Sequence, residues 1–356
     1  AYAVDGDVFF SVDNYPAYGG LSGRHLDEMM AGARVDVNDK KRNPLDFVLW
    51  KKSKEGEPFW ESPWGKGRPG WHIECSAMSR KYLGETFDIH GGGEDLVFPH
   101  HENEIAQSQA ATGKPLANYW MHNGFVKINA EKMSKSLGNI SPIRDIIQHY
   151  HPEVLRLFIL QSHYRSPVDY SDAAMKETRT ALIRCYSALR LMKETKDKLG
   201  SHSGDSLQSD QSGYVNKLEE LKKQFNEALD DDFNTAQALG YVFETARLIN
   251  NINTVEKKMA PGAKKIILDT AAGVFSHFGD VLGIFQHDPD AFFPADRDIE
   301  AAKRGLDVSR IELVIKERQK ARADKDWSRA DDIRRELASQ GIILKDSADH
   351  TSWLIE

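Results

Sequence analysis

The chain has 356 residues, a net charge of −7, and 40% apolar and 28% charged side chains. That length implies two to four domains, and no apolar run is long enough to span a bilayer. The acidic balance excludes a generally basic nucleic-acid coat, so any RNA contact must use local basic faces.

Ala1-Tyr2-Ala3-Val4 carries no initiator methionine and no signal-peptide pattern, and it reads as the approach to a strand. Residues 1–67 are rich in Gly, Pro and Trp, with strand-like pieces at Val8–Val12 and Phe47–Trp50, and they read as an irregular, mostly β insertion. From Gly70 the pattern turns to α/β. Trp71–Leu83 is helix-like, Thr86–His90 reads as a buried strand, and Gly91-Gly92-Gly93 follows as a turn. Pro99 suits the first position of a helix that Gly113 closes, and Trp120–Ile128 is again strand-rich. Residues 141–198 read as helical, with Ser141 capping a helix that begins at Pro142 and with a dense apolar face over Glu153–Leu160.

Ser201–Gly213 lacks apolar periodicity and reads as a flexible connection. Amphipathic helices resume from Val215 to Phe285, with Leu218, Leu221, Phe225 and Leu229 at helical spacing. Pro289 and Pro294 mark the next boundary. The last segment reads as a helix over 308–323, a second capped by Asp326 and ending near Gly341, and strands at Gly341–Lys345 and Thr351–Ile355. The two cysteines, Cys75 and Cys185, lie far apart, which argues against a disulfide framework and for a reducing, cytoplasmic setting.

Three stretches carry chemistry. Lys132-Met133-Ser134-Lys135-Ser136 spells KMSKS, similar to the nucleotide-activation loop of one large group of synthetases. Its lysines would neutralise a leaving pyrophosphate, while the hydroxyls and loop amides add hydrogen bonds; the plainer reading is an exposed basic loop. Cys75, His100 and Glu104 make a thiolate, imidazole and carboxylate set. His100 and Glu104, four apart, share one helix face, and His101 and Glu102 point elsewhere. Zinc ordinarily takes four ligands, and a buried cysteine beside a charged helix end would look the same. Gly91–Gly93 with Asp95 suits backbone approach to a ribose or phosphate, Asp95 accepting from ribose hydroxyls, or else is simple turn geometry.

Gly70-Trp71-His72-Ile73-Glu74-Cys75-Ser76-Ala77-Met78, Phe87-Asp88-Ile89-His90-Gly91-Gly92-Gly93, Phe98-Pro99-His100-His101-Glu102-Asn103-Glu104-Ile105-Ala106 and the lysine loop with Leu137-Gly138-Asn139 together resemble the cysteinyl-tRNA synthetases, class I aminoacyl-tRNA synthetases. The resemblance runs the length of the chain and is weakest over 200–215 and 255–300. It implies a fold with an α/β catalytic part, the second half of a Rossmann-type nucleotide fold carrying a mostly β insertion, then an α-helical bundle and a small α+β C-terminal domain. The implied divisions are 1–67 connective insertion, 68–130 nucleotide fold, 131–174 KMSKS and stem-contact region, 175–290 tRNA-binding bundle and 300–356 anticodon-binding domain.

By the same resemblance one Zn2+ is held by Cys75, His100 and Glu104 and takes the substrate thiolate directly. Trp71 and His90 wall the amino-acid site, Gly91, Gly92, Gly93, Asp95 and Lys135 bind ATP, and Lys132 and Lys135 act in catalysis. The family's fourth zinc ligand, an upstream cysteine, and its His-x-Gly-His signature do not occur in this sequence, which leads us to expect that the chain by itself does not activate cysteine.

The C-terminal cations Lys303, Arg304, Arg310, Lys316, Arg318, Lys320, Arg322, Lys325, Arg329, Arg334 and Arg335 are mixed with acids, which by charge alone reads as a salt-bridged surface. Trp327 beside arginines suits base stacking, and the resemblance places anticodon reading at Arg322, Trp327, Asp331 and Asp346. The expected activity is ligation of L-cysteine to tRNA(Cys) with ATP and Mg2+, by a monomer with no membrane association. The rivals are a ligase joining cysteine to an amino sugar in thiol biosynthesis, and an inactive tRNA-binding fragment.

Overall fold

Tyr2–Val4, Asp7–Phe10, Phe47–Lys52 and Gly67–Pro69 (β1 to β4) form one antiparallel sheet in that order. The computed structural model describes residues 1–23, 39–128, 131–132, 142–200, 207, 209–254, 259–346 and 351–355. The chain divides into two compact units, Ala1–Phe125 with Arg165–Pro167, and Val126–Tyr164 with Val168–Glu356.

In the first unit, Phe10, Val12, Tyr18, Leu45 and Phe47 close a small apolar core with Ala106. Buried Asp46 ties the loops above it, accepting from Tyr2 Oη at 2.6 Å, Val12 N at 3.0 Å and Asn43 N at 3.1 Å. Beyond the sheet run helix α1 (Trp71–Leu83), strand β5 (Phe87–Gly93), helix α2 (Glu102–Thr112) and strand β6 (Ala117–Asn123). β5 and β6 pair in parallel from Phe87↔Ala117 to Gly93↔Asn123, with α2 as the crossover, so the unit is βαβ. Gly113 ends α2 at φ 72°, the left-handed cap anticipated from sequence.

Three readings of this unit are corrected. β5 is not buried: Ile89 is 56% exposed, and among the described residues β5 pairs only with β6. Gly91–Gly93 are the last residues of β5, opposite Met121, His122 and Asn123, and the turn comes after them at Glu94–Leu96. Helix α2 starts three residues beyond Pro99, because Phe98 is extended and Val97–His101 form one wide turn.

In the second unit, β7 (Val126–Ile128) lies between β8 (Glu131–Lys132) and β9 (Val168–Tyr170). β9 interrupts the helical reading of 141–198: a β-branched and aromatic triplet following Pro167 is pulled into parallel register with β7. Ser141 lies outside the described residues, and Pro142 itself precedes a short α3 (Ile143–Ile146). Helices α4 (Pro152–Leu160), α5 (Asp172–Leu199), α6 (Ser209–Asp230), α7 (Thr235–Thr254) and α8 (Pro261–Leu282) share one core in which Leu157, Leu182, Leu218 and Phe225 are wholly buried. α6 takes in Ser209–Gly213, which sequence assigned to a linker; tertiary packing of the turns that follow overrides weak local propensity.

Buried Glu153 of α4 fastens the segment after α8, accepting from Phe285 N at 2.8 Å, Gln286 N at 2.9 Å and Tyr186 Oη at 2.9 Å. Helix α9 (Pro289–Arg304) then runs straight through Pro294, so that proline is not a boundary. The helix survives one missing hydrogen bond because Phe292 and Ala301 are buried on either side of it. The final module is α10 (Val308–Ala323), α11 (Trp327–Ser339) and the hairpin β10 (Ile342–Asp346) with β11 (Thr351–Ile355), packed on Ile311, Ile315, Ile333, Leu337 and Trp353. Asp326 caps α11 by accepting from Arg329 N at 3.1 Å. Among the described residues no helix is long and apolar enough to cross a membrane.

Candidate metal centre

Gly70 sets the position of α1. Its N–H donates to Leu49 O at 2.9 Å, and a Cβ there would lie 2.1 Å from Val48 O, so only glycine lets the helix start this close to β3. Gln107 of α2 donates to His72 O and Ser76 Oγ of α1, both at 2.6 Å, and locks the two helices together. At the other end of the crossover Glu102, wholly buried, accepts from Gly19 N at 2.8 Å and Ser22 N at 3.0 Å. The first turn of α2 is therefore held at the carboxyl end of β5, where ligands of open α/β sheets bind.

Cys75 of α1 and His100 and Glu104 of the α2 segment converge there: one ligand atom from each lies within 4.8 Å of the others. His100 Nε2 is 2.6 Å from Glu104 Oε1, and Glu104 is wholly buried. Neither Glu104 oxygen accepts a hydrogen bond of good geometry, although imidazole nitrogens stand against both. Buried carboxylate oxygens left this way, facing a thiol and an imidazole, are the kind of donors a tetrahedral zinc takes, once His100 and Glu104 part from their 2.6 Å contact to admit it.

The charges point the same way. Burial pushes the Glu104 carboxyl up to about 7, and burial with the neighbouring Glu104 charge raises the Cys75 thiol. Burial also lowers the His100 imidazole. Each group is held toward its neutral form, and a divalent cation reverses that for the carboxyl and thiol.

The structure corrects the reading of His101 as pointing elsewhere. His90, His101 and Glu104 form a second convergent set, with His90 Nε2 3.2 Å from Glu104 Oε2. His101 Nδ1 is 2.8 Å from His122 Nε2, and Trp120 packs on His90 and His101. On the other side His72 Nδ1 is 2.8 Å from His100 Nδ1. Burial, then the neighbouring imidazoles, lowers His101 to about 3; burial, then His100, lowers His72 to about 4. Sequence reasoning missed His72, His101 and His122. His72 carried a signal, lying one helical turn before Cys75.

Of the other candidates, Trp71 stacks on His100 at 4.3 Å between centroids and stays 59% exposed. Gly91–Gly93 line the end of β5: a Cβ on Gly92 would meet His101 Cε1 at 2.8 Å, and one on Gly93 would meet Asp95 Oδ1 at 2.5 Å. Asp95 is exposed. Lys132 contributes its backbone to β8, paired with Lys127, and Lys135 lies outside the described residues.

In the C-terminal module Trp327 is 59% exposed at the start of α11, and Asp331 is also exposed. Asp346 is already engaged: Arg318 donates to both its oxygens at 2.8 Å, Arg322 lies 3.0 Å from Oδ1, and Thr351 Oγ1 donates at 2.8 Å. Of the basic residues in this segment, Arg304, Arg318, Arg322, Arg329 and Arg335 all stand in ion pairs.

Three family models match: the tRNA synthetases class I (C) catalytic domain over residues 1–180, the DALR domain over 224–286 and the cysteinyl-tRNA ligase anticodon binding domain over 308–353. The chain is 54% identical to the cysteine–tRNA ligase of Geobacter sulfurreducens, over all of this chain and 72% of that protein. It is 52% identical to that of Thermodesulfovibrio yellowstonii, over 98% of this chain and 70% of that one. In fold it is similar to a putative arginyl-tRNA synthetase from Campylobacter jejuni, with a TM-score of 0.53 at 12% identity over 81% of this chain and 58% of that one.

Proposed function

The chain belongs to the cysteinyl-tRNA synthetases, class I aminoacyl-tRNA ligases, and on that premise we propose that its residues serve the ATP-dependent activation of L-cysteine and the loading of tRNA(Cys), with Cys75, His100 and Glu104 as holders of a zinc ion that selects the amino acid, while the 356 residues alone, without a His-x-Gly-His segment, do not complete the activation step. The observation that carries the zinc reading is the convergence of those three ligand atoms around a buried carboxylate with no hydrogen-bond donor of good geometry.

The amino acid's carboxylate attacks the α-phosphate of ATP, forming cysteinyl-adenylate and releasing pyrophosphate. The terminal ribose hydroxyl of the tRNA then attacks the carbonyl carbon and AMP leaves. When bound, zinc supplies a soft centre that prefers a thiolate to a serine hydroxyl. Pocket shape alone separates such near-isosteres by only about 1–3 kcal/mol. Trp71 and His90 wall the amino acid; Trp71, stacked on His100, limits how that ring can turn. Gly91–Gly93 give the adenosine backbone-close approach at the end of β5, and Asp95 accepts from its ribose. Lys132 and Lys135 neutralise the charge that builds on the departing pyrophosphate, Lys135 most directly.

We assign residues 1–67 to the insertion, 68–130 to the nucleotide fold, 131–174 to the lysine loop and stem contacts, 175–290 to the bundle that braces the tRNA and 300–356 to anticodon reading. Trp327 and Arg322 supply stacking and charge, and Asp331 and Asp346 accept from base edges. The match of residues 308–353 to an anticodon-binding family favours this over a cysteine–amino-sugar ligase, which needs no such module. Metal analysis tests the zinc part: one zinc per wild-type chain is expected, and less than a tenth of that in Cys75→Ser. Undiminished zinc in that variant would sink the assignment.

A further inference from the structure

One of the ligand residues makes a close contact outside the set: the Nδ1 atoms of His72 and His100 stand 2.8 Å apart. We propose that His72 is a positioning residue, one that fixes the tautomer and ring orientation of His100 so that His100 presents Nε2 to the metal. The inference rests on the zinc reading of this site.

His100 Nε2 faces Glu104 Oε1 at 2.6 Å, so Nε2 is the nitrogen on the ligand side and Nδ1 points away from it. A neutral imidazole carries a single ring proton. With that proton on Nε2 the ring turns an N–H toward Glu104 and has no lone pair there for a cation. With it on Nδ1 the ring can ligate, provided the Nδ1–H finds an acceptor in this buried place. His72 Nδ1 is at hydrogen-bond distance, and it accepts when the His72 proton sits on its own Nε2. Passing from one arrangement to the other moves the His100 proton from Nε2 to Nδ1 and the His72 proton from Nδ1 to Nε2. Each ring keeps one proton and stays neutral.

Neither ring is free to drift. The backbone carbonyl of His72 accepts from Gln107 Nε2 at 2.6 Å, and the edge of Phe47 packs on the His72 ring at 5.7 Å. Trp71 stacks on the other face of the pair, 4.3 Å from His100. The contact is thus built into the helix that also carries Cys75, so one element delivers a ligand and the group that aims a second ligand.

The test is zinc affinity of the 356-residue chain, read by competition with a chromophoric chelator. His72→Phe keeps an aromatic ring and removes the acceptor; zinc should loosen about 10- to 100-fold. His72→Asn restores a side-chain carbonyl acceptor and should recover most of that loss. Wild-type affinity in His72→Phe, or no recovery in His72→Asn, overturns the proposal. Cys75→Ser serves as the separate arm: if it also leaves zinc untouched, the zinc reading itself falls, whereas an effect in Cys75→Ser alone leaves zinc in place and removes His72. Should His72→Phe fail to fold, long-range 15N–1H spectra of the zinc-loaded wild type decide. A protonated Nδ1 on His100 is expected, and a metal-bound Nδ1 contradicts the assignment.

Discussion

Asp346 shows how one residue can be claimed by both structure and recognition. Its carboxylate accepts from Arg318 through both oxygens and from Thr351, and the Arg318 guanidinium holds its pKa well below the usual carboxylate range. A depressed folded value means stability that is fully present above the unfolded value near 4 and is lost as pH falls through the folded value. The C-terminal module should therefore weaken as pH drops below about 4. Asp346→Asn should cost about 1–3 kcal/mol at neutral pH and little in strong acid; equal melting of the two proteins at pH 7 would refute this. Trp327, by contrast, is exposed and carries no core. Trp327→Ala should leave the melting temperature within a degree or two and weaken tRNA(Cys) binding by about 1–3 kcal/mol, the worth of one base stack. Unchanged filter-binding affinity would remove it from the interface. At this scale Cys75, His100 and Glu104 could be picked out in the sequence because chemistry restricts which residue types ligate zinc. His72, His101 and His122 could not, because histidine is also an ordinary core residue and their contacts cross 21 to 28 positions of chain.

Elements act as levers on the site and on the module. Helix α1 begins against β3 with no room for a Cβ at residue 70. Gly70→Ala must push the helix start outward, at about 1–3 kcal/mol, and carry Cys75 with it. We expect lower thermal stability together with looser zinc in Gly70→Ala; zinc affinity unchanged in a destabilised protein would separate the two effects and contradict the coupling. Helix α5 does comparable work in the second unit. Buried Arg179 meets Asp296 of α9 through two nitrogens and donates to Ile355 O of β11 at 3.1 Å, binding bundle to hairpin. Arg179→Ala strands a buried carboxylate and should cost about 3–5 kcal/mol in denaturant melts, while pairing it with Asp296→Leu should recover much of the loss. Helix periodicity announced the helical stretches that hold α5 to α8, without their individual bounds, and announced α10 as a single helix. It failed at β9 and at the start of α6, where a three-residue pairing and distant packing outweigh local preference.

At the scale of the whole molecule the chain holds two compact units, and the three proposed zinc ligands lie in the first. A ligand that binds only the folded state stabilises the part that holds it, by about 2.7 kcal/mol at a hundredfold excess over Kd. Calorimetry with and without a chelator should accordingly lower one transition and leave the other, belonging to the helical unit, unmoved; a uniform shift of all unfolding would contradict independent units. The sequence by itself determined the family, the class of fold, most helices and the identity of the three candidate ligands, because residue type, helical period and capping chemistry are local properties. Only the tertiary structure decided that Gly91–Gly93 finish a strand instead of turning, that α9 passes through Pro294, and that His90, His100 and His101 converge on Glu104 with His72 and His122 against two of those rings. Those facts depend on which distant segments share a buried volume, where hydrogen bonds and packing must be satisfied by whatever the fold brings near.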